Sequence, residues 1–321
     1  MTLENEDLRL PMWPAVAHVQ TKREIEELLA QRGLRPNKRF GQCFLVDGNL
    51  MRRLVTAAEI EPDDLILEVG GGTGALTELL ATKARRVVCV EIDRELFPIL
   101  EDVFRDQANV TLIHGDVLAG KHHLATAVAA AIGGDQTKKV EATAAYPGDP
   151  VKLVANLPYQ IAVPLLINLL VDYPQVHRMV FTVQAEVGER ITAVSGGKEY
   201  GPLSILMNLL GRVDTVARLP AHVFWPRPTV ESVMLRIDRH ARTFLGSGEL
   251  HSFLSLLRGT FDHRRKTLRA AMGYAVDSAA VGRVCQEFDG SRRPESFHPA
   301  EWVRIFELAR DCSTIRPPPS P

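Results

Sequence analysis

The chain is poor in cysteine: Cys43, Cys89, Cys285 and Cys312 are the only ones in 321 residues, and no two form a CxxC pair. That scarcity suggests no disulfide framework, and the want of histidines at ligand spacing beside the cysteines suggests no zinc site. Long apolar runs are missing too. The longest, such as LATAVAAAIGG, fall short of the roughly 18 residues that a membrane span needs. The N-terminus, MTLENEDLRL, is acidic and lacks the basic-then-apolar order of a secretory signal. The expectation is a cytoplasmic protein with no membrane association and no metal. Nor is there an excess of either charge. The formal total is −1, so no bulk field draws a polyanion, and any nucleic-acid footprint must be local.

What is present suffices for a large core. With 45% hydrophobic and 24% charged residues, the chain can build one sizeable α/β domain and a smaller appendage. TKREIEELLAQRG has helical apolar spacing and a glycine stop, which predicts a short helix over 21–33. Then the grammar changes. DLILEVGGG, RRVVCVEID, NVTLIHGD and VKLVANLPY are short β-branched runs ending in Gly, Asp or Asn, most of them followed by a helix-like stretch. This alternation predicts a parallel sheet with helices on both faces. VHRMVFTVQAE and SVMLRIDR read as further strands, and LHSFLSLLRGTF, RRKTLRAAM and PAEWVRIFELAR as later helices. The organisation expected is a tail and short helix over 1–34, an α/β domain over 35–240, and a helical region over 241–321 with a flexible RPPPSP end. Within the α/β domain, 133–150 carries Gly, Pro, Lys and Thr without periodicity and reads as a surface insertion.

In open parallel sheets, ligands sit beyond the carboxyl ends of the strands. LEVGGGTGALTE places Gly70, Gly72 and Gly74 there, where missing side chains let backbone approach a ligand closely. Gly70, Gly72 and Ala75 also satisfy G-x-G-x-x-A, so the glycines alone leave a nicotinamide dehydrogenase, or a mere tight turn, open. Glu91, at the end of VEID, can accept both hydroxyls of a ribose, which suits either nucleotide. Asp116, in HGDV, can accept from an adenine amino group, although strand-terminal Asp is often only a turn or cap residue.

The stretch VANLPYQIAVPLL separates the two chemistries. Hydride transfer needs a nicotinamide pocket and usually a His or Lys acid, and gives no reason for Asn-Leu-Pro-Tyr. Methyl transfer to an exocyclic amine does. The adenine amino nitrogen is a poor nucleophile because its lone pair is delocalised into the ring. A site helps by holding its N–H groups out of plane, as the Asn156 side-chain oxygen and a carbonyl next to Pro158 can do. Pro158 lacks an N–H and stiffens the loop, and Tyr159 offers a π-face for a flipped base. The plain structural alternative is an Asn-Pro turn with Tyr159 as helix-start packing.

At these residues the chain resembles the KsgA (RsmA) family of small-subunit ribosomal RNA adenine N6,N6-dimethyltransferases. KRFGQCFLVD is similar to its N-terminal signature, LEVGGGTGALT to its cofactor loop and NLPY to its catalytic motif. QAEVGERI, KEYGPLSI, FWPRPTVESVMLRI and FDHRRKTLR follow in family order, so that the likeness runs from about Thr21 to about Ala309. The resemblance implies a class I S-adenosylmethionine-dependent methyltransferase of α/β fold with a helical C-terminal RNA-binding domain. It implies that Gln42, Cys43 and Leu45 close over S-adenosylmethionine, with Gly70 and Gly72 beside its amino-acid part, Glu91 on the ribose and Asp116 on the adenine. Asn156 would be shared with the target, and Pro158, Tyr159 and Phe224 would complete the catalytic site, Phe224 as a second stacking wall. The implied reaction is dimethylation of N6 of two adjacent adenines in the 3′-terminal hairpin of 16S ribosomal RNA, by a monomer acting on the small ribosomal subunit.

Some positions depart from the family pattern. Cys43 stands where Asn is usual, Gly71 where Pro is common, and QAE and YQIAVP replace Gln-Lys-Glu and Tyr-Asn-Ile-Ser-x-Pro. A thiol is a weak hydrogen-bond partner, so the contact that Asn would make to the cofactor is lost or passes to backbone, with a lower affinity expected where it is lost. The basic run RGTFDHRRKTLR sets Arg258, Arg264, Arg265, Lys266 and Arg269 against one acid, Asp262. With the resemblance it reads as an RNA footprint, which Arg227 and Arg236 could extend; without it, as a solvated helix face. Three readings therefore stand: the methyltransferase, with a large-subunit RNA target as its variant; an assembly factor with weak methylation, motivated by Cys43; and the dehydrogenase.

Overall fold

Helix α1 (Lys22–Gln31) lies within the helix expected over 21–33 and is capped by Thr21. The Thr21 hydroxyl accepts from the Glu24 N–H, and the Glu24 carboxylate accepts from the Thr21 N–H at 2.6 Å. In this computed structural model, residues 19–37, 41–121, 123–133, 150–241 and 245–310 are described. The tail over 1–18, most of the insertion expected over 133–150, and the end of the chain beyond 310 lie outside them. After α1 the described elements run β1 (Phe44–Leu45), α2 (Gly48–Ala57), β2 (Leu65–Val69), α3 (Ala75–Ala81), β3 (Arg86–Glu91), α4 (Phe97–Val103), β4 (Val110–His114) and α5 (Thr126–Ala131). They continue with β5 (Val151–Asn156), α6 (Ala162–Asp172), β6 (Val176–Gln184), α7 (Ala185–Thr192), α8 (Pro202–Leu210), β7 (Gly211–Leu219), β8 (Phe224–Trp225) and β9 (Ser232–Arg239). Helices α9 (Ser247–Phe261), α10 (Leu268–Met272), α11 (Ser278–Glu287) and α12 (Pro299–Arg310) follow.

Seven strands form one sheet in the order β4-β3-β2-β5-β6-β9-β7. The first five are parallel, and β9 runs antiparallel to both β6 and β7. The expected α/β fold is present. The order reverses between β2 and β5, which opens a crevice at the carboxyl ends of the central strands. Strand β7, GRVDTVARL, carries little of the apolar signal of the others because it lies at the sheet edge with most residues partly or fully exposed.

The period of two sorts the buried side chains onto two faces. Ile66, Val87, Val154 and Val180 pack with Leu54 of α2 and Leu80 of α3. Leu67, Val88, Leu153 and Phe181 pack on the other side with α6 and α8. That second core continues without a break into Leu256 of α9 and Trp302 of α12. The helical region after β9 is thus bonded to the sheet domain by a shared apolar interior. Among the described residues, no helix is long and apolar enough to cross a membrane.

At the sheet's amino end, Lys152 and Asp64 form an ion pair at 2.6 Å with side chains 4% and 7% exposed. The Lys152 ammonium also donates to the Glu59 carbonyl at 2.5 Å. Removing one partner leaves a desolvated charge alone. Asp64→Ala is expected to lower unfolding stability by roughly 3–5 kcal/mol. The double variant Lys152→Met, Asp64→Leu should recover most of it, as read from urea transitions.

Candidate active site

The ends of β2, β3, β4 and β5 converge on a cavity of about 280 Å³. Its lining includes Gly70, Gly72, Glu91, Asp116 and Asn156 from the strand ends, Gln42 and Cys43 from the segment before β1, and Pro158 and Tyr159 from the turn after β5. The sequence motifs therefore meet in space. Gly70 has φ +85°, and its N–H donates to the Val90 carbonyl at 2.8 Å. A Cβ built there would lie 3.3 Å from Pro158 Cγ and 3.8 Å from the Asn156 carbonyl oxygen. Glycine is needed both for the backbone angle and for this close approach of the two turns. Gly72, at φ +58°, would set a Cβ 3.0 Å from the Phe44 ring.

Glu91 is 5% exposed. One carboxylate oxygen accepts the Gly72 N–H and the other the Asp93 N–H, each at 2.8 Å. These bonds fix the carboxylate plane toward the cavity and leave each oxygen a further lone pair for a ligand hydroxyl. Burial pushes its pKa up, against those backbone donors. Asp116 is exposed at the rim, its Oδ1 accepting from the Leu118 N–H at 2.9 Å.

Asn156 is held at both ends of its amide. Nδ2 donates to the Cys43 carbonyl at 2.8 Å, and Oδ1 accepts from the Thr182 hydroxyl at 2.5 Å. A carbonyl only accepts, so Cys43 dictates which way the amide faces. The link made at position 43 is through backbone. The Cys43 thiol, half-buried, has its pKa raised by that burial. Gln42 ties the same segment down by donating to Asp93 Oδ2 at 2.6 Å and accepting from the Asn37 N–H at 2.7 Å. The Tyr159 phenol shares a 2.7 Å hydrogen bond with the Ser232 hydroxyl, and burial raises its pKa, so the ring stays neutral.

Two expected positions lie deeper than the cavity wall. Leu45 and Phe224 face each other across the β1–β8 ribbon and are 4% and 3% exposed, inside the core with Leu54 and Val223. Phe224 is absent from the lining of the cavity, because ribbon alternation turns Trp225 outward instead, where it stacks on Phe44 at 6.1 Å. In the basic run, Arg265, Lys266 and Arg269 are exposed and Arg258 is half-buried. Arg264 spans regions, donating to the Lys198 carbonyl at 2.8 Å with Glu295 at 3.8 Å. Arg227 is exposed in the turn before β9, whereas Arg236 does not extend the patch: it is committed to Asp238 and Glu59 at the end of α2.

Three residues were not apparent as site residues from the sequence. Thr182 and Ser232 are buried on β6 and β9, and only the sheet register places them under Asn156 and Tyr159. Glu68 had a signal, being the one acid in the apolar strand LILEV. It is 1% exposed, and neither carboxylate oxygen has a hydrogen-bond partner. It lines a small recess of about 50 Å³ behind the glycine turn, shared with Leu45, Gly70, Gly72 and Asn156. Burial pushes its pKa up to about 8, tempered by the nearby Thr77 hydroxyl and Cys89 thiol, which lie close without aligned hydrogen bonds. A buried acid with two free oxygens beside a cavity is suited to a ligand cation.

Residues 33–311 match the family described as ribosomal RNA adenine dimethylase. The ribosomal RNA small subunit methyltransferase A of Moorella thermoacetica is 39% identical over 246 residues, covering 77% of this chain and 82% of that protein. Its counterpart from Bacillus mycoides is 34% identical over 294 residues, covering 89% and 96%. Among solved structures, a dimethyladenosine transferase from Plasmodium falciparum superposes with TM-score 0.63 at 22% identity, over 81% of this chain and 94% of that one. The 23S rRNA methyltransferase ErmE gives 0.58 at 24%, over 83% and 99%. At those identities the two structures bear on the fold alone.

The raised Glu68 pKa carries a sign. An acid at about 8 in the folded chain and 4.5 in the unfolded one costs stability as pH rises between those values, since only the folded state then holds the proton. Relative to Glu68→Gln, the ligand-free wild type is expected to lose stability from pH 4.5 to 8 and to run parallel outside that window. Urea midpoints across pH measure this, and parallel curves throughout would contradict it.

Proposed function

The chain belongs to the ribosomal RNA adenine dimethylase family, and from that premise we propose that it dimethylates N6 of two adjacent adenines in the 3′-terminal hairpin of 16S ribosomal RNA, with S-adenosylmethionine as donor. The observation that carries the reading is the contact of the glycine turn with the Asn-Leu-Pro-Tyr turn at one cavity. It acts as a monomer on small ribosomal subunits in the cytoplasm. The names of the relatives, over most of their length, favour the small-subunit target over a large-subunit one. Among the described residues that line the cavity there is no His or Lys to act as the usual acid of a hydride transfer. The Cys43 segment closes on Asn156 through a carbonyl that any residue supplies, and calorimetric titration of S-adenosylhomocysteine together with methyl incorporation separates the enzyme from an assembly factor.

The residues fit the proposed cofactor. Unpartnered Glu68 oxygens suit an ammonium group, Glu91 has free lone pairs for ribose hydroxyls, and Asp116 stands at the rim where an adenine edge would lie. When bound, S-adenosylmethionine supplies a methyl carbon already made electrophilic by its sulfonium. The protein's task is then alignment and exclusion of water. Asn156 Oδ1, oriented by Thr182, and the Leu157 carbonyl before Pro158 accept from the target amine, holding its N–H groups out of the ring plane so that its lone pair is withdrawn from conjugation and faces the methyl donor. Tyr159, anchored by Ser232, provides a stacking face for the extruded base. Phe224, in the core beneath, holds the β1–β8 ribbon in place.

Labelled methyl transfer to unmethylated small subunits tests the reading, with mass spectrometry to place the N6,N6-dimethyladenines. Asn156→Ala should lower the rate by roughly 10²-fold. Tyr159→Ala should fall similarly and Tyr159→Phe only a few-fold. Thr182→Val is expected to lower kcat with little change in the cofactor KM, and Thr182→Ser to restore it. Transfer to large-subunit RNA only, or none by the wild type, would overturn the assignment.

A further inference from the structure

Five large hydrophobic side chains are exposed among the described residues, and Tyr274 is the one aromatic among them, at 50%. It follows α10 directly and is not left alone. The His263 ring stacks on it with centroids 3.6 Å apart and planes 27° apart. The Lys266 ammonium stands 5.5 Å from its centre. The turn that carries His263 and Lys266 is closed by the Lys266 N–H on the His263 carbonyl at 2.8 Å. Two more backbone bonds, Leu268 N–H to Arg292 O and Arg269 N–H to Gly290 O, bring the 288–293 turn alongside.

The cations of this corner divide into paired and free ones. Arg264, Arg292, Arg304 and Arg310 each have a carboxylate partner. Arg265, Lys266, Arg269 and Arg293 are exposed, and no ion pair engages them among the described residues. A solvated helix face explains free charges but not a phenol ring held half in water against an imidazole. Phosphates together with an unpaired base call for both features.

We propose that His263 and Tyr274 form a stacking platform for one unpaired base of the RNA partner, with Arg265, Lys266, Arg269 and Arg293 gripping the phosphates around it. The proposal rests on the reading of the chain as an RNA-modifying enzyme and adds a contact outside the catalytic cavity. One face of the Tyr274 ring is covered by the imidazole, so the base takes the exposed side, and the Lys266 ammonium moves to a phosphate.

Filter binding of the full chain to unmethylated small subunits, and to the same ribosomal RNA stripped of protein, tests it across a salt series. Tyr274→Leu keeps apolar bulk without a π-face and should weaken both complexes by roughly 5- to 100-fold, while Tyr274→Trp stays within about twofold. The salt slope should be unchanged in Tyr274→Leu. It should fall by about 0.7–0.9 in Arg265→Gln and in Lys266→Gln. Wild-type affinity in Tyr274→Leu overturns the platform. Loss confined to intact subunits, with stripped RNA bound normally, also overturns it and assigns the ring to a ribosomal protein. Methyl transfer by the wild type is scored separately: transfer with no Tyr274 effect defeats the platform alone, and a Tyr274 effect without transfer defeats the enzymatic reading alone.

Discussion

The site depends on two turns pressed together at the carboxyl end of the sheet. Gly70 and Pro158 approach so closely that even a methyl group at position 70 would crowd the proline ring. Parallel pairing of β2 with β5 sets that distance, and the reversal of strand order between them leaves the space above it open. Asn156, the last residue of β5, then spans the gap sideways. Its amide reaches the Cys43 carbonyl on one side and the Thr182 hydroxyl on the other. Backbone and buried side chains thus hold the Asn156 amide, with no long exposed side chain whose rotamers must be frozen.

Electrostatics follow from the same burial. Glu91 lines the crevice and Glu68, one strand away, lines the recess behind the glycine turn, and desolvation raises the pKa of both. Glu91 is compensated by two backbone N–H groups, whereas Glu68 has no partner. One carboxylate is oriented by its donors and the other is left without any. The strain of keeping Glu68 dry is tolerable because the rest of β2 is fully apolar and anchored on both faces.

Much of this was legible in the sequence, for identifiable reasons. β-branched runs closed by Gly, Asp or Asn announced the parallel strands and their functional ends, and helical apolar spacing with a glycine stop announced α1. What stayed hidden depends on register or on partners distant in sequence. Edge strand β7 carries too few apolar residues to be read, and the two-residue ribbon of β1 and β8 carries too short a pattern. That ribbon decides that Phe224 points inward and Trp225 outward. Arg236 and Arg264 look like free cations in the sequence, yet each is spent on a carboxylate or carbonyl brought in by the fold. The Cys43 carbonyl bonds the Asn156 amide, a contact that no side-chain pattern in the sequence could announce.

The most direct measurement is calorimetric titration of S-adenosylhomocysteine into the wild type and Gly70→Ala, with unfolding midpoints taken alongside. A methyl at a φ of +85° and 3.3 Å from Pro158 should part the two turns and weaken binding by about tenfold or more, while the fold survives. Equal affinity in both proteins would contradict a pocket built on that contact.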